Sequence, residues 1–145
     1  MKKLMKMKKN QKGFTLVEVI VVLVILAIMA AILIPSLIGY IDKSRENSII
    51  SETRSVATAA QTLSSEAYAK YKNATISFGD GVASSSTTDA DGKVTAYVVG
   101  ETDITELAEV EGDITSLTIT GGKVTALEYK SGDYTCAYPN YEVTK

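Results

Sequence analysis

From Val19 to Ile34 the chain runs through sixteen apolar residues without a break, and one acid, Glu18, stands at the head of the run. Twelve of the sixteen are Val, Ile or Leu. At roughly 0.3 to 0.6 kcal/mol each, they favour transfer into a bilayer by about 4 to 7 kcal/mol. A carboxylate deep in hydrocarbon costs roughly 3 kcal/mol, and less near the edge, so insertion wins. As a helix, Phe14 to Ile38 would reach about 37 Å, more than the roughly 30 Å of a hydrocarbon core. Six lysines, Lys2, Lys3, Lys6, Lys8, Lys9 and Lys12, precede the run. They predict a cytoplasmic N-terminus, with everything after Ile38 on the far side of the membrane. A plain anchor has no use for Glu18, which makes it a functional-site candidate. The alternative is a carboxylate solvated at the membrane interface.

Three fates are open to such a segment. A secretory signal would be discarded after a small-residue cleavage site. Ala27, Ala30 and Ala31 lie inside the run, however, and Pro35-Ser36-Leu37-Ile38-Gly39-Tyr40 leads on into a helical pattern. A permanent uncleaved anchor is the second fate. The third comes from Lys12-Gly13-Phe14-Thr15-Leu16-Val17-Glu18, which resembles the cleavage and N-methylation motif of type IV prepilins and related pseudopilins. The resemblance is specific from Lys12 to Tyr40 and general thereafter. It implies a cut between Gly13 and Phe14 by a prepilin peptidase, N-methylation of Phe14, and dependence of assembly on Glu18 and Phe14. The chain then divides into a cytoplasmic leader (1–13), a transmembrane and filament-core helix (14–39), an amphipathic helix half (40–74) and an extracellular β-sheet domain (75–145).

Elementary electrostatics supplies a reason for that pairing. The cut would expose an α-amine on Phe14 in apolar surroundings, where a lone cation is costly. A neighbouring subunit's Glu18 carboxylate would neutralise it, each charge being otherwise unpaired. Glu18 lies four residues after Phe14, so a pair within one subunit is also open.

Charge and composition exclude several function classes. All seventeen acids follow Gly13, while six of the fifteen basic side chains precede it. Nine basic and seventeen acidic side chains remain after Gly13, a side-chain charge of −8. Such an outer domain does not suit nucleic acid as its principal partner. There is no histidine, which removes the commonest general base and neutral metal ligand. The single cysteine, Cys136, rules out an intrachain disulfide. Many Gram-negative pilins close their C-terminal region with a cysteine pair, so the chain is similar instead to the disulfide-free pilins of Gram-positive bacteria. Cys136 reads as a small buried hydrophobe, with an intermolecular link as the minor alternative.

Pro35 inside the helix removes a donor and crowds the carbonyl of Ala31, which predicts a bend or weak point between Ala31 and Gly39. The resemblance implies that Pro35 and Gly39 permit local extension in an assembled filament; a static kink is the other reading. Beyond Ile41, Ile49, Val56, Ala60, Leu63, Ala67 and Tyr71 recur on one helix face. One helix is therefore predicted from Phe14 to Asn73, apolar all round in its first half and one-faced in its second. The C-terminal region reads as strands at Val94–Val99, Ile114–Thr120, Lys123–Lys130 and Tyr134–Tyr138, with Gly121-Gly122 as a hairpin turn. Asp103-Ile104-Thr105-Glu106 fits a capping box opening a short helix through Val110. Phe78 to Gly92 has little to bury and is expected to be an exposed loop. The fold class is α+β: a long N-terminal helix whose amphipathic half packs on an antiparallel sheet of about four strands.

Two weaker motifs remain. Asp89-Ala90-Asp91-Gly92 resembles the start of a calcium loop, but the expected twelfth position is Gly100 rather than an acid, so a simple turn competes with a cation site. Asn73-Ala74-Thr75 matches a glycosylation acceptor that often arises by chance. No metal or cofactor site is assigned. The leading expectation is a structural type IV pilus subunit, stored as a single-pass membrane precursor and assembled into a surface filament for adhesion, aggregation or motility. Its expected partners are further copies of itself, a prepilin peptidase, an assembly ATPase and a platform protein. The runner-up is a pseudopilin of a type II secretion or DNA-uptake system. A membrane-anchored enzyme or binding module is the third class, and no clustered catalytic groups speak for it.

Overall fold

The computed structural model describes residues 13–145, so of the expected leader only Gly13 falls within it and the six lysines lie outside. The elements in chain order are α1 (Leu16–Lys70), β1 (Thr75–Gly79), β2 (Ser85–Thr88), β3 (Val94–Gly100), α2 (Glu101–Ala108), β4 (Asp113–Thr120), β5 (Lys123–Ser131), β6 (Tyr134–Tyr138) and β7 (Glu142–Thr144). They fall into two units, the first ending at Ile41 and the second spanning Asp42–Lys145.

The first unit is the apolar part of α1. It is helical without interruption through Pro35 and Gly39. Every described residue up to Ile41 is exposed except the half-buried Ala30. Soluble proteins do not leave so much continuous apolar surface in water, so this stretch requires lipid or protein around it.

In the second unit the rest of α1 lies against the sheets. Ile49, Val56, Ala60 and Ala67 of the expected face are buried, and Leu63 and Tyr71 are half-buried. The stripe is completed by two hydroxyl residues, Thr53 and Ser64, both fully buried. Counting only apolar residues misses them, although Thr53 and Ser64 fill the gaps in the helical spacing. The Thr53 hydroxyl donates to the Ile49 carbonyl at 2.7 Å, which makes its burial tolerable.

The four expected strands are present as β3, β4, β5 and β6, but they do not form one sheet. β4-β5-β6-β7 make an antiparallel sheet, and β1-β3-β2 a separate one in which β1 runs parallel to β3. β2 occupies part of the stretch expected to be loop. Its four residues, Ser85–Thr88, are all exposed, so this edge strand carries no apolar alternation to reveal it. Gly121 and Gly122, at φ 59° and 76°, join β4 to β5 with Thr120 opposite Lys123, as a two-residue hairpin demands. Along β5, Val124, Leu127 and Tyr129 are buried; the slip in alternation matches the register shift between Thr118 and Ile119. Cys136 is fully buried among these residues, as its sequence context predicts.

Side chains then fasten the sheets to the helix. The Gln61 carboxamide accepts from Val124 N–H at 2.9 Å and donates to the Gly122 carbonyl at 3.0 Å, holding the start of β5 as another strand would. The Tyr129 hydroxyl accepts from Gly112 N–H and donates to Glu52 Oε2, both at 3.0 Å. Burial first, and then the neighbouring Glu52 carboxylate, push the phenol up to about 12. A phenol kept protonated in the fold stabilises it below its ordinary value near 10.0, and that stability is lost as pH rises through about 12. The urea midpoint of the purified protein is therefore expected to fall between pH 10 and 12, and Tyr129→Phe to flatten that fall. An equal fall in the variant would assign it to other groups.

The short helix α2 begins earlier than the capping pattern predicted. Its N-cap is Gly100, without a side-chain cap. Asp103 is engaged elsewhere: its carboxylate accepts from Ser84 N–H at 2.7 Å, and the bonds from Ser84 hold it below the usual carboxylate range. Glu101, buried, accepts from Gly81 N–H at 2.7 Å and Ile114 N–H at 2.6 Å. Thr102 reaches the Val82 carbonyl through its hydroxyl at 2.9 Å. The first turn of α2 thus grips the 81–84 segment, which connects β1 to β2. A tertiary demand for acceptors has overridden the local capping signal.

Candidate functional site

The site begins at the start of α1. Thr15 is non-helical, and its hydroxyl accepts from Glu18 N–H at 3.2 Å. Thr15 is thus the N-cap, and Thr15-Leu16-Val17-Glu18 is the Thr-x-x-Glu pattern of a capping box. Sequence reasoning passed over this pattern because the apolar run dominates the segment. The cap fixes where the helix begins, and so sets Glu18 in its first turn. An acid there is also favoured by the helix dipole.

Phe14 is 83% exposed and Glu18 is exposed as well. The structure brings them together: Phe14 and Glu18, with Val19, Val22 and Leu23, line one shallow concavity of about 270 Å³. A carboxylate, a ring and three aliphatic side chains share that surface. Chemically this is an apolar cradle with one acceptor, suited to a cationic group presented in a dry setting.

Gly13 has no folding reason to be glycine. A Cβ placed there would meet nothing within 4 Å, and its φ is not positive. The same holds for Gly39, while Pro35 sits inside an unbroken helix. The Asp89 turn has a plain structural use. The Asp89 carboxylate accepts from Asp91 N–H at 3.1 Å and Lys93 N–H at 2.9 Å, closing the β2–β3 connection. Among the described residues no group of three or more acids or cysteines gathers to hold a metal ion.

Residues 8–34 match the family described as the prokaryotic N-terminal methylation motif. Type IV major fimbrial proteins FimA from Dichelobacter nodosus are 45% identical over 56 residues, which is 39% of this chain and 36% of the relative. A further FimA from the same organism is 45% identical over 56 residues, 35% of its length. The chain thus matches about a third of the length of these relatives. No solved structure matches the chain. The chain thus carries the prokaryotic N-terminal methylation motif at its start and is similar over part of its length to type IV major fimbrial proteins.

Proposed function

We propose that the chain is the structural subunit of a type IV pilus, made as a membrane precursor, cut after Gly13, N-methylated at Phe14 and assembled through its apolar helix. The observation that carries this reading is the shared surface of Phe14 and Glu18 at the head of an exposed apolar helix. The cut turns the Phe14 nitrogen into a cation four residues from an acid. Either charge alone in an apolar bundle is unfavourable, and together they neutralise each other. Pairing between subunits would give each arriving copy a reason to seat at one register.

Storage in lipid and packing in a filament core are both apolar environments, so the exposed helix moves between them with little loss of burial. Gly13, free of any folding role, is then kept for recognition by a membrane peptidase. An assembly ATPase and a platform protein would drive addition of subunits. Pro35 and Gly39 mark where α1 would bend or extend as it leaves the membrane. The leader stays cytoplasmic and the second unit is displayed on the cell surface.

The test is electron microscopy of filaments sheared from cells, labelled with antibody against the second unit. Abundant long filaments labelled along their length are expected. Label confined to the membrane fraction would instead support the pseudopilin of a secretion or DNA-uptake machine.

A further inference from the structure

The second unit is acidic, with nine basic and sixteen acidic side chains after Ile41. Three of the nine converge. Lys70 and Lys72, at the end of α1, and Lys93, before β3, line a concavity of about 400 Å³ with Ala69, Tyr71 and Val94. The one ion pair among the described residues is Lys145 with Asp42, so none of these three ammonium groups sits in a salt bridge. The wall they stand on is firm: Lys70 Nζ lies 5.3 Å from the centroid of the Tyr71 ring, which stacks on Tyr97 at 5.2 Å. Three like charges gathered at one concavity repel one another, and an anionic occupant would relieve that repulsion.

The matching surface is on the same molecule. Glu106, Glu109, Glu111 and Asp113 are all exposed and lie close in sequence to Leu107, which is 53% exposed. We propose that the lysine concavity of one copy receives the 106–113 segment of a second copy, carboxylates meeting ammonium groups and Leu107 meeting Ala69 and Val94. The inference rests on the filament reading and deepens it. Leu107, Ala108 and Glu109 lie beside Ser51, Arg54, Ser55 and Thr58 of α1, on the order of fifteen residues before Lys70 or about 22 Å along the helix. Two unlike patches at different heights make a head-to-tail contact, which propagates instead of closing. Complementary charge also fixes register and offsets repulsion among subunits that each carry −8 after Gly13.

The test uses the full chain in cells. Reversing Lys70, Lys72 and Lys93 to glutamate, or Glu106, Glu109 and Glu111 to lysine, is expected to lower sheared filament at least tenfold. Combining both sets in one chain is expected to restore it to within about twofold of the original. A chain carrying Lys72→Cys and Glu109→Cys should form a ladder of cross-linked dimers and higher multimers within filaments under mild oxidation, each single variant none. Filaments from the parent chain with no cross-link, and with unchanged yield in the reversed variants, would overturn the contact and leave the filament reading standing. Loss on reversal without rescue or cross-link would assign the concavity to another anionic partner and equally overturn it. Absence of filaments from the parent chain would overturn the filament reading itself.

Discussion

Glu18→Ala is expected to leave the chain cleaved and in the membrane while lowering surface filament by at least a hundredfold. Removing one partner of a buried ion pair typically costs 3–5 kcal/mol, because the other charge remains in apolar surroundings. Each factor of ten in an equilibrium corresponds to about 1.4 kcal/mol, so a hundredfold loss is the lower bound of that range. Two companions separate this role from a merely structural one. Thr15→Ala removes the N-cap at a cost of about 1 kcal/mol and is expected to keep filaments. Glu18→Gln keeps the shape but not the charge, and is expected to fail as alanine does. The readouts are the size and amount of subunit in sheared and membrane fractions. Normal filaments from Glu18→Ala would sink the assigned role.

Glu101→Ala is expected to destabilise the second unit by about 2 kcal/mol, since it strands the buried Ile114 N–H at roughly 1–3 kcal/mol and takes the acceptor from the exposed Gly81 N–H. Glu101→Gln retains one acceptor and turns an N–H toward the other donor, so about half the loss is expected. Urea unfolding of the purified protein checks both. The Asp103 contribution has an opposite pH signature to that of Tyr129. A carboxylate held below its ordinary value of 3.8 stabilises the fold above that value, and the benefit disappears as pH falls below it. A Glu101→Ala midpoint within error of the parent would mean that the grip of α2 on the 81–84 segment carries no stability. The backbone already leaves little latitude there: a Cβ on Gly100 would collide with the Val82 carbonyl and the Ser84 nitrogen.

The long helix was legible because its two halves are written in different alphabets, apolar all round up to Gly39 and one-faced afterwards. The strands β3 to β6 were legible because β-branched and aromatic residues sit between glycine turns. What escaped the sequence had physical causes. β2 is built from Ser and Thr on an exposed edge, where burial imposes no pattern. Thr53 and Ser64 belong to the buried stripe although they are polar. Asp103 looked like a cap and serves as a long-range acceptor. Parallel pairing of β1 with β3 depends on contacts between distant segments, which local pattern cannot encode. At the candidate site, Gly13, Phe14 and Glu18 were named from the motif, whereas the Thr15 cap, written in Thr15-Leu16-Val17-Glu18, was masked by the apolar run, and the shared concavity emerges only in the fold.

The most direct measurement is the intact mass of the subunit recovered from sheared filaments. The account predicts a single species equal to Phe14–Lys145 plus one methyl group. A species that still begins at Met1 would contradict it, since the Phe14 amine on which the proposed pairing with Glu18 depends would never have formed.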